Sequence, residues 1–335
     1  MKGRFIKSVK QVLSRSSFIE TRIHNKRFTA SDLVAIILQE LKSRADQLTA
    51  QDCRKAVLGR PVFFDDDDVQ KDTLAQTRLQ KAATLAGFTE VRFQFEPIGA
   101  AFAYEKSLVR KENVLVADLG GGTTDFTYLM LDPKKANNKD RKNDMMANGG
   151  IYIGGDSFDS AFMWEKGTPY FGKNTKYEAT HGKVLTVPVS LFSNICSWEQ
   201  MNFFNGLRIK KDIEDYYYFS GNDRKFKNLI TLIDNNLGYS VFQSIEQTKI
   251  TLTDKDEAVF SYHQIGIEIN EEIGLSNYNK IIARDIERIE NYLKDFLHKN
   301  KIDPKDIDSL FLTGGTSMVE SIQTLFGRTL PDVKL

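Results

Sequence analysis

Residues 117–125 read ADLGGGTTD, a stretch whose residue types suit phosphate chemistry. Three consecutive glycines, Gly120, Gly121 and Gly122, can take backbone angles closed to other residues and let peptide N–H groups approach an anion. Asp118 and Asp125 stand on the two arms of the turn, spaced to hold a hydrated divalent cation. The apolar run Val114-Leu115-Val116 reads as the buried strand that delivers the turn. The bland alternative is a glycine-rich surface hairpin, against which the flanking carboxylates argue.

Two more corners of this kind follow. Ile151-Tyr152-Ile153 runs into Gly154-Gly155 and a helix whose first N–H groups can meet an anion. The strand 309–313 runs into Gly314-Gly315-Thr316 and a helix over 318–326. One strand–glycine–helix turn is weak evidence, whereas three in this order are strong. A fourth feature is Glu96-Pro97, between a strand over 91–95 and a helix rich in small residues, Gly99, Ala100 and Ala101. Proline suits the first helical position, and a carboxylate there faces the positive end of the helix dipole and a ligand crevice. A plain helix cap is the alternative for Glu96.

The elements that must position these residues are legible in outline. Thr29 and Asp32 form a capping pair with Phe28 stapled to Leu33, and Leu33, Ile36, Ile37, Leu41 and Leu48 trace the apolar face of the helix that follows. A strand over 56–64 ends at the acidic run Asp65 to Asp68, read as a solvated loop because consecutive carboxylates do not converge on one ion. A helix over 73–86 packs Leu74, Ala82 and Leu85 and stops at Gly87. Residues 132–150 read as an exposed polar loop, and the aromatic-rich 165–225, with Trp164, Trp198 and 216–219, as irregular core packing. Helices follow over 243–252 and 277–299, the second with a core stripe of Ile281, Ile282, Ile286, Ile289, Leu293 and Phe296.

Composition bounds the function. With 335 residues, 41% hydrophobic and 27% charged, the chain has material for two cores. A net charge of +1 excludes the overall basic balance of a dedicated nucleic-acid binder, and no stretch approaches the roughly 20 apolar residues of a membrane helix. Neither nucleic acid nor membrane is therefore expected as a partner. Cys53 and Cys196 lie far apart, as expected of reduced thiols in a cytoplasmic protein, and His24, His181, His263 and His298 show no metal spacing. Residues 1–30 hold eight basic residues, including Lys2, Arg4, Lys7 and Lys10, against Glu20 alone. This segment, with Phe5, Ile6, Val9, Val12 and Leu13 at helical spacing, fits an amphipathic helix of the fold better than an organellar presequence, since no cleavage pattern follows.

Together these segments resemble the nucleotide-binding domain of DnaK-type heat-shock chaperones, within the actin, sugar-kinase and chaperone superfamily. FEPIGAAFAYE is similar to that family's EP-x-A-A-A-x-AY segment, ADLGGGTTDF to its second phosphate loop, YIGGDSFD to its GGxDFD turn and LFLTGGTSM to its adenosine loop. GRPVFF, FQFEP, SIEQTKITLT and LTGGTS look closest to the divergent YegD-like branch. The resemblance implies an α/β, actin-like (ribonuclease H-like) ATPase fold with two lobes around a nucleotide cleft. It puts residues 1–112 in the remainder of lobe I and 113–335 in lobe II, with 113–150 and 301–335 as core subdomain and 151–300 as peripheral helical subdomain.

It also implies roles. Gly120, Gly121, Gly122, Thr123 and Thr124 would meet the phosphates of ATP or ADP, with the Thr123 hydroxyl on the transferred group. Asp118, Asp125 and Glu96 would hold the water shell of Mg²⁺, Asp118 also accepting a proton from attacking water. SVKQVLSRS aligns with the stretch bearing the family's catalytic lysine, which makes Lys10 that residue. Gly154 and Gly155 would border the site, while Glu246, Lys249 and Thr253 with Gly314, Gly315 and Thr316 would enclose ribose and adenine.

Departures from the family pattern are equally specific. No D-x-G-T-x-x-S loop precedes Lys10 and no substrate-binding sandwich follows, so the first lobe is expected to be incomplete. Ile250 and Met318 stand where the family places arginines, which implies apolar contacts to the base. The expected function is a slow, Mg²⁺-dependent, chaperone-like ATPase coupled to lobe closure, with a protein client or co-chaperone as possible partner. A non-catalytic nucleotide-binding module and a superfamily sugar kinase are the alternatives.

Overall fold

The computed structural model of the chain describes residues 6, 9–23, 26–61, 64, 68–135, 144–179, 182–197, 204 and 206–334. Lys2, Arg4, Phe5, Lys7, His24, Val62, Phe63, Asp65, Asp66, Asp67, His181 and Trp198 lie outside the described residues, as does 136–143. The chain forms two compact units, one of 1–154 with 291–317 and 327–335, the other of 155–290 with 318–326.

The first unit opens with α1 (Val9–Ser14) and a small hairpin of β1 (Thr21–Ile23) and β2 (Lys26–Phe28), followed by α2 (Ala30–Thr49). The expected capping box is present: Thr29 Oγ1 accepts the Asp32 N–H (3.3 Å) and Asp32 Oδ2 accepts the Thr29 N–H (2.8 Å). The expected apolar face is corrected. Leu33 is buried, but Ile36, Ile37 and Leu41 are exposed and Leu48 is 88% exposed. Small residues take the core side instead, with Ala30 and Ala35 of α2 meeting Ala75 and Ala82 of α3 (Val69–Leu85), which lets the two helices approach closely. Leu85 is exposed too, and Gly87 sits past the end of α3 at φ +98°. Arg78 of α3 fastens α1 by donating to the carbonyls of Val12, Leu13, Arg15 and Phe18.

Strands β3 (Lys55–Arg60) and β4 (Glu90–Phe95) flank α3 in sequence and pair in parallel, Arg60 opposite Phe95. β3 stops at Arg60, short of the expected Phe64, because Pro61 has no N–H to continue a ladder. Helix α4 (Glu96–Glu105) begins where β4 ends. Next come β5 (Glu112–Leu119), β6 (Thr124–Leu131) and β7 (Met145–Ile151). The last of these corrects the reading of 132–150 as loop, since Met145 to Gly150 pair along β6 despite their glycines and asparagine.

The second unit corrects the irregular reading of 165–225. It contains α5 (Gly155–Phe162), a π-helical turn Met163–Gly167, the short pair β8 (Lys176–Glu178) and β9 (Val184–Thr186), then α6 (Val189–Ile195), α7 (Leu207–Phe219) and α8 (Arg224–Asp234). Of its aromatics Phe171, Phe192 and Phe204 do form core, but Tyr218 and Phe219 of α7 are exposed. Cys196, at the end of α6, is buried; its thiol is pushed up to about 12 by burial and donates to the Phe192 carbonyl (3.2 Å). Helix α9 (Gly238–Asp254) leads to an antiparallel hairpin of β10 (Glu257–Gln264) and β11 (Ile267–Gly274), absent from the sequence reading. Its two-residue loop puts Ile265 at φ +48° and Gly266 at φ +79°, an arrangement costly for a β-branched residue. Helix α10 (Leu275–Lys299) follows, with Ile282, Ile286, Ile289, Leu293 and Phe296 buried as expected.

Strand β12 (Ser309–Thr313) returns to the first unit and pairs in parallel with β5, giving a sheet of order β12-β5-β6-β7. Helix α11 (Glu320–Thr329) starts two residues later than expected, after a short turn over Gly315–Met318. Val114, Leu115, Val116 and Ala117 of β5 are almost completely buried, the mark of a strand covered on both faces. Ala101 and Tyr104 of α4 pack with Val114, Val116, Leu129 and Leu131, and Phe126 of β6 stacks on Tyr292 and Phe296 of α10 at 6.0 and 5.9 Å. Among the described residues no helix is long and apolar enough to cross a membrane.

The capping box yields a pH-dependent expectation. Thr29→Ala lowers unfolding free energy by about 1 kcal/mol at neutral pH. The Thr29 N–H and hydroxyl hold the Asp32 carboxyl below its ordinary value, so this contribution is present above the usual carboxylate range and lost as pH falls through the depressed value. Urea melts of parent and variant therefore draw closer in acid by the share that the hydroxyl's bond to the Asp32 carboxylate supplies, while the bond from the Asp32 N–H to Thr29 Oγ1 is indifferent to pH.

Candidate functional site

The first glycine corner joins β5 to β6, antiparallel strands that pair Asp118 with Asp125 and Leu119 with Thr124. Gly120 N–H is spent on the turn, donating to the Thr123 carbonyl (2.9 Å). The two carboxylates lie directly opposite each other, an unfavourable pairing for like charges unless donors or a cation compensate it. Each has a threonine donor: the Thr123 hydroxyl to Asp125 Oδ2 and the Thr313 hydroxyl to Asp118 Oδ1, both at 2.9 Å.

The other two corners close on this turn. A Cβ on Gly154 would stand 2.6 and 2.7 Å from the carbonyl oxygens of Gly120 and Gly121, so residue 154 has room only for glycine. Gly314 sits at φ +83°, and its Cβ would run into the Leu119 carbonyl and stand 3.0 Å from Asp118 Oδ1. Thr316 Oγ1 donates to the Gly120 carbonyl (2.9 Å) and the buried Thr124 Oγ1 donates to the Ile153 carbonyl (2.8 Å). Gly315 is exposed beside them. The structure thus brings Asp118, Gly120, Gly121, Gly122, Thr123, Thr124, Asp125, Gly154, Gly314, Gly315 and Thr316 together within one unit.

A second group gathers where the parallel strands β3 and β4 end. Glu96 opens α4 and its Oε2 accepts from Lys10 Nζ at 2.7 Å, with the side chains 34% and 50% exposed. A Cβ on Gly59 would stand 3.1 Å from Glu96 Cγ, so the end of β3 lies directly against this carboxylate's stem. Sequence reasoning missed the residue between them. Arg60 is only 6% exposed and bonds Asp72 (2.7 Å), Gln76 and the Pro61 carbonyl. The period-two alternation Ala56, Leu58, Arg60 was the available signal, since it directs Arg60 inward.

The remaining expected residues belong to the second unit. Gly155 begins α5. Lys249 of α9 pairs with Asp159 of α5 at 2.6 Å, where Asp159 is 2% exposed, and also donates to the Gly155 carbonyl (3.4 Å). Glu246 is exposed and the Thr253 hydroxyl donates to the Ile250 carbonyl (2.7 Å), while Ile250 and Met318 present their apolar side chains to solvent. The buried Tyr278 hydroxyl has no hydrogen-bond partner among the described residues, and burial, then the Asp159 charge, pushes it up.

Among the described residues no three acidic, histidine or cysteine side chains come together to hold a bare metal ion. A divalent cation at the opposed Asp118 and Asp125 would have two carboxylates and complete its shell with water and phosphate oxygens, the habit of Mg²⁺. The donor set fits that ion. A groove of about 410 Å³ on α3, lined by Gln76, Thr77, Gln80, Lys81, Thr84 and Phe93, contains none of the expected site residues.

The mixed α/β architecture and its glycine turns define the actin-like ATPase fold. The sequence model of Hsp70 protein matches residues 4–183, just over half of the chain. The chain belongs to the Hsp70 family, as a DnaK-type nucleotide-binding domain. It is 25% identical over 332 residues to "Chaperone protein DnaK" of Mesomycoplasma hyopneumoniae (strain 7448), covering 97% of this chain and 44% of that protein. The protein of the same name from Mycoplasmoides gallisepticum is 25% identical over 337 residues, 98% of this chain and 46% of that one. The chain therefore spans less than half the length of these relatives.

The close approach at Gly154 gives a direct expectation. Gly154→Ala adds one methyl group against two backbone carbonyls and costs about 1–3 kcal/mol of stability, as overpacking does. Gly315→Ala, with open space around its Cβ position, costs far less in the same thermal melts.

Proposed function

We propose that the chain is a Mg²⁺-dependent ATP-binding module of the chaperone kind that hydrolyses ATP slowly and couples occupancy to closure of two lobes, residues 1–112 and 113–335. The observation that carries this reading is the closure of the Gly154 and Gly314 corners on the turn Leu119-Gly120-Gly121 beside two opposed carboxylates. The N–H groups of Gly121, Gly122 and Thr123 would cradle the terminal phosphates, Thr124 and Thr316 holding the turn in shape. Asp118 and Asp125, with Glu96, would hold the water shell of Mg²⁺, which when bound neutralises charge on the phosphates. Gly314 and Gly315 would border ribose and base from the first unit. In hydrolysis a water oxygen bonds the γ phosphorus as the bond to the bridging oxygen breaks, and the water's proton passes to Asp118. Positioning supplies most of the rate.

A second reading, a module that binds nucleotide without turning it over, is favoured by the state of Lys10. Its ammonium, the group expected to place water, is half exposed and already engaged by Glu96. Client proteins and co-chaperones belong to the chaperone reading and would be sought only once nucleotide binding is measured.

Calorimetry with ATP, with and without Mg²⁺, tests both readings. Mg²⁺-dependent binding is expected, and its absence sinks both. If turnover accompanies binding, Asp118→Asn removes at least about 100-fold of the rate while binding persists. Lys10→Ala acts in the same direction. Binding without turnover in the parent selects the second reading.

A further inference from the structure

Arg60 occupies a position that the alternation of β3 reserves for an apolar residue, and everything around it neutralises or holds its charge. Asp72 of α3 accepts from its Nη2 at 2.7 Å, Gln76 accepts from Nη1, and the Pro61 carbonyl accepts from Nε at 2.9 Å. The guanidinium carbon lies 5.0 Å from the Phe64 ring centroid and 5.6 Å from that of Phe95, within range of a cation–π attraction to each. Asp72 Oδ1 also accepts the Phe64 N–H (2.7 Å), so one carboxylate fixes both the guanidinium and the ring beside it. Such a planar, many-bonded group is held in one orientation and holds its neighbours in turn.

Two of those neighbours lead to the site. Phe95 is the N-cap residue of α4 and has no side-chain capping bond of its own, and Glu96 is the next residue. Gly59, the residue before Arg60, lies against the Glu96 stem. On the other side the Tyr152 hydroxyl donates to the Phe64 carbonyl (3.2 Å), two residues before Gly154 closes on Gly120 and Gly121. Arg60 therefore stands between the start of α4 and the segment that seats the glycine turn, all within the first unit.

We propose that Arg60 is a positioning residue for the Glu96 carboxylate: clamped by Asp72 and stacked with Phe64 and Phe95, its guanidinium fixes the first turn of α4 and hence where Glu96 presents its oxygens. The inference deepens the proposed nucleotide reading and rests on it for the kinetic consequence, though not for the structural one. Any planar group lost from this clamp frees Phe95 and lets Glu96 wander while leaving Asp118 and the glycine turn in place.

The test uses the whole chain with two variants. Arg60→Lys keeps a charge for Asp72 but loses the planar stack, and Phe95→Leu keeps every hydrogen bond of Arg60 but loses one ring. Each is expected to lower kcat for Mg-ATP by about tenfold with KM changed less than about twofold, and in a Glu96→Gln background each adds less than about twofold, because the paths are shared. Effects that multiply with Glu96→Gln overturn the proposal. Amide exchange at residues 100–102, whose N–H groups bond the carbonyls of the first turn of α4, is the second readout and needs no nucleotide: it speeds in both variants beyond what any change in melting temperature accounts for, and unchanged exchange overturns the proposal. If the parent binds no Mg-ATP, the proposed function fails and the exchange result alone decides this inference. Should neither variant fold, nuclear magnetic resonance of the parent decides it. A protected Arg60 Nε–H with cross-peaks to both rings, and slow exchange at 100–102, supports the clamp, whereas a solvent-exchanging Nε–H overturns it.

Discussion

Two peptide carbonyls, those of Gly120 and Gly121, face residue 154 at a separation that excludes any side chain, and the arrangement of the first unit follows from that contact. It brings the end of β7 over the turn between β5 and β6, which the ladder between these strands already tightens by pairing Asp118 with Asp125. The threonine hydroxyls of Thr124 and Thr316 then lock the same turn from two sides by reaching backbone carbonyls rather than solvent. A turn held this way keeps its remaining N–H groups pointed in fixed directions before any ligand arrives. Preorganisation of this kind is what phosphate chemistry requires of a protein, since little covalent work falls to it.

Burial of charge is the second recurrent device. Arg60 and Lys249 are both largely withdrawn from water, and each finds its counter-charge on a neighbouring helix, Asp72 on α3 and Asp159 on α5. Removing one partner of such a pair leaves an uncompensated charge and is strongly destabilising, whereas the intact pair contributes modest net stability. Geometry is the better account of why they sit here. Each pair fixes an element beside a glycine: Gly59 at the end of β3, and Gly155 at the start of α5.

Legibility in the sequence tracked how local the physics is. The glycine corners, the Thr29 and Asp32 capping box, and the helix opened by Glu96 could be read because a few adjacent residues dictate their own backbone. The face of α2 was misread because large apolar residues drew the assignment, while Ala30, Ser31 and Ala35 make the close approach to α3. Strand β7 was hidden by asparagine and glycines, residues of low strand propensity that pair with β6 because neighbouring backbone is there. The β10–β11 hairpin carried a clear alternation of Ala258, Phe260 and Tyr262, but its turn is Ile265-Gly266, and isoleucine at positive φ gives no turn signal. Arg60 was overlooked for the opposite reason, a charged residue in an apolar register.

The two cysteines differ in a way that distinguishes the units chemically. Cys196, buried at the end of α6 with its proton retained far into alkali, will ignore thiol reagents in the native protein. Cys53, half-buried at the end of the first long helix, is the thiol left for a maleimide dye or spin label, so a single-site probe can be attached to the first unit without mutagenesis.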